Sequence, residues 1–93
     1  MSEAPKGNVC YVYIVRCQYG TYYTGWTNDI MNRLAAHNSG KGAKYLRGRG
    51  PVTLVYKKKC LTARRARSQE ALIKGLTRQQ KEALISSHNR RNA

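Results

Sequence analysis

Carboxylates are the scarcest charged groups in this chain: Glu3, Asp29, Glu70 and Glu82 stand against 18 lysines and arginines, a net charge of +14 over 93 residues. An excess of that size repels itself in the compact state and is relieved by a polyanion, so it points to nucleic acid, DNA first and RNA second. A membrane surface is the competing anion, but it asks for a basic helix with a broad apolar face. Here the cations are spread over a loop, a strand end and helices. Long apolar runs are missing too, none approaching the roughly 20 residues of a membrane span. No apolar stretch follows Lys6, as a secretory signal would require. The expectation is a cytoplasmic, nucleoid-associated monomer without a membrane partner.

Cysteine is equally uninformative as a metal or disulfide framework. Cys10, Cys17 and Cys60 form no Cys-x-x-Cys pair, and only His37 and His88 could join them as soft ligands. A structural zinc site wants four such ligands at short spacing. The thiols are therefore expected to be reduced and packed as small hydrophobes. A chain this short buries only about 60 to 65% of its unfolded surface, so one thin core and one domain are expected.

What is present is a pattern of strands and helices. Residues 9–16 and 21–26 are rich in β-branched and aromatic side chains, with Gln18-Tyr19-Gly20 between them, which predicts an antiparallel hairpin. If Gly20 closes a three-residue loop in the left-handed region, Cys17 pairs with Thr21 and odd-numbered residues of both strands share a face. Tyr11, Tyr13 and Tyr23 then line one side, with Tyr13 and Tyr23 diagonal neighbours about 7 to 8 Å apart at the backbone. A two-residue loop would send the two rings to opposite faces. Thr27 or Asn28 is placed to cap a helix over 29–38, with Asp29 in its first turn and Gly40 at its end. On that helix Ile30 and Leu34 pack inward, while Arg33 and His37 stack four apart.

Residues 40–51 hold four cations, Lys41, Lys44, Arg47 and Arg49, among glycines that let backbone N–H groups approach an anion. The same composition describes a solvated linker. A third strand is predicted over 52–56, trailing into Lys57, Lys58 and Lys59. A second helix follows over 63–75, capped by Thr62, and a third from Thr77 to about Ser87, opened by a Thr-x-x-Gln capping box. The domain is thus expected over 9–87, between a flexible start at 1–8 and a frayed basic tail at 88–93.

Chemistry can be assigned to few of these residues singly. Glu70 lies between Ala66 and Ile73 on the inner stripe of its helix, where a carboxylate needs a metal, a cation or hydrogen bonds. Lys74, one turn on, is the simplest such partner. Mg²⁺ asks for one or two carboxylates and keeps several waters, so Glu70 beside a phosphate can suffice. Arg33 suits bidentate contact with a phosphoryl group. His37 can shuttle a proton near neutral pH or cap a helix end. Tyr13 could act as a base at neutral pH only if its pKa fell from near 10 to about 7, which costs about 4 kcal/mol. Trp26 can stack on a nucleobase or be buried against a helix.

Taken together, the triplets Tyr11-Val12-Tyr13 and Tyr23-Thr24-Gly25, the run Thr27-Asn28-Asp29-Ile30-Met31-Asn32-Arg33-Leu34, then His37 and Glu70, resemble the GIY-YIG nuclease superfamily from Val9 to about Ile85. Residues 40–56 and Glu70-Ala71-Leu72-Ile73-Lys74 look like its small stand-alone bacterial, YhbQ-like branch. The resemblance implies an α/β fold, a three-stranded antiparallel sheet flanked by about three helices. It also implies hydrolysis of DNA with one Mg²⁺ or Mn²⁺ ion. Tyr13 would activate water, Tyr23 orient the phosphate, Arg33 steady the transition state, His37 assist proton transfer and Glu70 hold the metal. Lys41, Lys44, Arg47, Arg49, Lys57, Lys58 and Lys59 would grip the backbone, with Trp26 at a base, giving low sequence specificity. Branched, nicked or single-stranded DNA in repair or processing is the expected substrate. The chain departs from the pattern where the first triplet lacks glycine and isoleucine, where Thr24 replaces isoleucine, and where Trp26 and Glu82 stand in place of a basic residue and an asparagine. The alternative is a non-catalytic DNA- or RNA-binding module on the same fold.

Overall fold

The computed structural model of the protein describes residues 9–39 and 50–92. Strands β1 (Cys10–Arg16), β2 (Tyr22–Thr27) and β3 (Thr53–Cys60) form an antiparallel sheet in the order β2-β1-β3. Helix α1 (Ile30–Asn38) follows β2, and α2 (Ala63–Lys74) and α3 (Arg78–Asn92) follow β3. No helix among the described residues is long and apolar enough to cross a membrane. The sheet is thus three-stranded and flanked by three helices, as the sequence predicts.

The hairpin closes through three residues. Cys17 N–H donates to the Thr21 carbonyl at 2.7 Å, and Gly20 N–H donates to the Cys17 carbonyl at 2.9 Å. Gly20 has φ +90°, the left-handed region that lacks a steric penalty only for glycine. The loop sets the register, so Tyr13 faces Gly25 and Val15 faces Tyr23 across the ladder.

As the middle strand, β1 is buried on both sides, and its alternate residues feed two cores. Val12 and Ile14 join Tyr56, Ala66, Ile73 and Ile85 beneath α2 and α3. Tyr13 and Val15 join Cys17 and Val52 on the opposite face, where Ile30 and Leu34 of α1 pack against them. The three cysteines are free and buried. Thr24 sits on the first of these faces, 3% exposed, and its hydroxyl has no hydrogen-bond partner among the described residues. An unsatisfied buried hydroxyl costs about 1 to 3 kcal/mol, and valine has the same shape without it. Thr24→Val should therefore stabilise the fold by about 1 kcal/mol, raising the melting temperature by about 4 to 8 °C. An unchanged or lower thermal midpoint would show that the hydroxyl is not a burden.

Several boundaries differ from the sequence reading. The N-cap of α1 is Asp29, whose side chain accepts from Asn32 N–H, rather than Thr27 or Asn28. Thr27 instead takes the Asp29 N–H on its hydroxyl at 3.0 Å, one residue before the helix. β3 does not end at Tyr56. Lys57, Lys58 and Lys59 continue pairing with Tyr13, Val12 and Tyr11, because the ladder to β1 supplies partners for backbone that charged side chains alone would not hold extended. α3 continues beyond Ser87 to Asn92, where fraying was expected, and the His88 ring packs on Tyr56 at 5.1 Å between centroids. The capping box at its start is formed, with Gln80 Oε1 accepting from Thr77 N–H and Thr77 Oγ1 accepting from Gln80 N–H. Arg78 then ties this end to the hairpin, donating to the Gly20 carbonyl at 2.9 Å with its guanidinium over the Tyr22 ring. α1 ends at Asn38, where the sequence places its end, with Ser39 as C-cap; Gly40 and the expected flexible start, residues 1–8, lie outside the described residues.

Candidate active site

Tyr13 and Tyr23 share the face of the sheet that α1 covers, because the three-residue loop pairs odd numbers with odd. Tyr13 lies across Gly25 of the neighbouring strand. A Cβ at that position would sit 2.7 Å from Tyr13 Oη, 2.9 Å from its Cζ and 3.2 Å from Tyr23 Cε2. Glycine is therefore what lets the first ring cross the second strand. Gly25 carried no separate role in the sequence reading, although its pairing with Tyr13 follows from the loop length alone.

α1 brings His37 to the same point. Packing of Ile30 and Leu34 holds its body, and Asn38 Oδ1 accepts the Val52 N–H at 2.7 Å, joining its last turn to the start of β3. His37 is 2% exposed, and its Nε2 lies 2.9 Å from Tyr13 Oη. The Tyr23 ring meets the same imidazole in a T-shaped contact at 5.8 Å between centroids. His37 is thus tied to a strand rather than serving as a helix-end charge. Burial lowers its pKa below the usual 6.5, and the Arg33 guanidinium one turn earlier lowers it further. The imidazole is neutral at pH 7, and in the Nδ1–H form its Nε2 accepts the phenolic proton of Tyr13.

Burial acts oppositely on Tyr13, pushing its pKa above the ordinary 10.0; Tyr23 and the Glu70 carboxylate push the same way and Arg33 opposes them. This is the reverse of the fall that a free-standing base would need, and it follows from placing the phenol in a core. Arg33 is exposed, whereas Glu70 is half-buried, its side chain 21% exposed and 3.5 Å from Lys74 Nζ. Glu70 lies on α2, in the layer opposite α1, and its charge bears on the phenol less than burial, Tyr23 or Arg33 does. α2 lies across β1 and β2, and the carboxylate is near enough to act on the phenol.

These two shifts set a pH window for stability. Below 6.5 the unfolded chain protonates at His37 while the folded chain resists, so stability should fall as pH drops. Above 10.0 the unfolded chain gives up the Tyr13 proton first, and stability should fall again. Thermal midpoints should decline from about pH 7 to about pH 5, and decline less in His37→Gln. Equal slopes for the two proteins would remove His37 as the cause.

Among the described residues, those assigned to nucleic acid are not gathered in one place. Lys57 and Lys59 stand opposite Tyr13 and Tyr11, with Lys57 Nζ 5.7 Å from the Tyr11 ring centroid, while Lys58 alternates to the other face. Trp26 is half-buried against the α2 core with the Arg67 guanidinium 5.9 Å from its ring, and it also borders a cleft with Thr27, Asn28 and Arg33. Lys41, Lys44, Arg47 and Arg49 lie outside the described residues. Sequence reasoning did not single out Arg67, whose spacing from Trp26 carries no local signal.

A known family matches this arrangement. Residues 9–83 match the GIY-YIG catalytic domain. Over 77 residues the chain is 57% identical to a UPF0213 protein of Clostridium perfringens, covering 83% of each. The solution NMR structure of a UPF0213 protein from Bacillus halodurans is similar at TM-score 0.55 and 46% identity, covering 84% of this chain and 83% of that one. The solution NMR structure of a protein from E. faecalis is similar at TM-score 0.59 and 41% identity, covering 85% and 84%. This chain accordingly belongs to the GIY-YIG family, and the phenols, imidazole and glycine described above lie within its nuclease-type catalytic domain.

Proposed function

We propose that the protein hydrolyses phosphodiester bonds in DNA, with one divalent ion, Mg²⁺ or Mn²⁺, and little sequence preference. The observation that carries this reading is the buried Tyr13–His37 hydrogen bond, with the Tyr23 ring against the same imidazole, inside the stretch that matches the GIY-YIG catalytic domain. Among the described residues no three His, Cys, Asp or Glu cluster as a metal cage. One half-buried carboxylate fits a hard, hydrated cation that shares its ligands with a phosphate, and does not fit zinc. Glu70 would hold such an ion, which when bound supplies Lewis-acid polarisation of a phosphoryl oxygen.

The chain's own groups divide the remaining work. Arg33, exposed and forked, grips the phosphoryl oxygens and offsets charge that grows on them. Tyr23 orients the phosphate. A proton leaving the attacking water passes to Tyr13 Oη as the phenol gives its own proton to neutral His37, so no persistent phenolate forms and the raised Tyr13 pKa is no obstacle. Contacts to the backbone rather than to bases would dominate affinity. Branched, nicked or single-stranded DNA met in repair or processing is the substrate class, and the site of action is the nucleoid.

The upward push on Tyr13 also favours a second reading, a DNA- or RNA-binding module without turnover. Labelled single-stranded, duplex and forked DNA, incubated with Mg²⁺, Mn²⁺ or EDTA beside Glu70→Gln, separates the two. Cutting that needs the ion and is abolished in Glu70→Gln is the expected result. Salt-sensitive binding with no cutting in any condition establishes the module instead.

A further inference from the structure

From a second basic cleft, about 710 Å³ in volume, where the end of β3 meets the first turns of α2, we infer a docking tract for the nucleic-acid backbone beyond the cut site. The inference rests on the nucleic-acid reading above. Lys58 and Lys59 come from the strand and Arg64 and Arg65 from the helix, with Ser68 and Gln69 on the next turn. All four cations are exposed, no carboxylate lines the cleft, and none of the four makes an ion pair among the described residues. Four uncompensated cations lining one concavity, Lys58 and Lys59 from alternate faces of the edge strand β3, repel each other, so the cleft is a place where anions are concentrated. Its walls are largely polar, unlike those of a pocket for an apolar small molecule.

Its position suggests what the anion is. Lys57 pairs with Tyr13, and Lys58 and Lys59 are the next two residues along the same strand. At about 3.3 Å per residue and about 4.8 Å between strands, the cleft begins on the order of 10 Å from the Tyr13 backbone. Phosphates along one strand of a duplex advance about 3.4 Å each. Because the Tyr13 ring crosses β2, away from β3, the hydroxyl lies farther off than the backbone, and a strand with one phosphate at the tyrosines has another at the cleft only several nucleotides further on. Two guanidiniums supply forks for phosphate oxygens, and the hydroxyl and amide of Ser68 and Gln69 supply neutral donors.

The test compares two single-stranded oligonucleotides of about 4 and about 16 nucleotides, labelled for fluorescence anisotropy and titrated in EDTA so that no cutting intrudes. Arg64→Ala/Arg65→Ala and Lys58→Ala/Lys59→Ala are measured beside Lys81→Ala/Arg90→Ala, which removes the same charge from α3. Each cleft variant should bind the long probe about tenfold more weakly and lose about one to two from its salt slope, with the short probe unchanged in Arg64→Ala/Arg65→Ala and weakened less than the long one in Lys58→Ala/Lys59→Ala. In cleavage of a long substrate by Arg64→Ala/Arg65→Ala, KM should rise while kcat holds. Cleft variants that match the α3 control, or that lose the short probe equally, overturn the docking tract alone. Wild-type protein that binds neither probe overturns the nucleic-acid reading with it. Circular-dichroism melts matching the wild type establish that each variant is folded.

Discussion

Arg33→Ala should cut with a rate lower by about 10² to 10³, the usual loss when one donor to developing charge is removed, with folding unaffected because the side chain is exposed. Arg33→Lys should recover little, since a point charge cannot reproduce a planar fork. A second consequence distinguishes this role from general attraction for DNA. The guanidinium holds the His37 pKa down in addition to the effect of burial, so removing it should let that pKa rise part of the way back to 6.5. His37 accepts a proton only when neutral, and the acid limb of the pH–rate profile should therefore move to higher pH in Arg33→Ala. A profile that drops in height without moving would mean that Arg33 does not act on the imidazole.

Gly25→Ala should meet the tightest packing of any added methyl group among the described glycines. Its Cβ would meet Tyr13 Oη at 2.7 Å and the Tyr23 ring at 3.2 Å, and Tyr13 is only 2% exposed, so its ring has little room to yield. Overpacking of this kind costs about 1 to 3 kcal/mol. Displacement of the hydroxyl by about 1 Å should lower the rate by about 10²-fold. Gly75→Ala is the matched control, because its new Cβ would meet nothing closer than 3.5 Å and the backbone φ is −80°. Adding Tyr13→Phe to Gly25→Ala removes the tightest contact and should restore part of the stability in urea melts while restoring no activity. If Gly25→Ala retains full activity, the Tyr13 hydroxyl does not need its observed place.

The fold and the site were legible to different degrees. Gln18-Tyr19-Gly20 is enough to choose a loop length, and loop length carries the register, so the common face of Tyr13 and Tyr23 could be read from local sequence. The four-residue step from Arg33 to His37 was legible in the same way, as was the capping box before α3. The end of β3 was not. Three successive lysines are poor strand formers, and they stay extended because β1 lies beside them. The persistence of α3 to Asn92 is similar, since the Tyr56 ring that meets His88 belongs to a strand far away in sequence.

The sequence by itself determined the charge, the hairpin register, the helical spacing and hence which side chains share a face, because each depends on residues only a few positions apart. Tertiary structure alone decided that Glu70, from the layer across the sheet, comes near enough to act on the Tyr13 phenol. It also decided that Tyr13 and His37 are shut away from water, which moves their proton affinities in opposite directions and keeps both neutral at pH 7. Burial sums contributions from every layer packed around a group, and no window along the chain contains that sum.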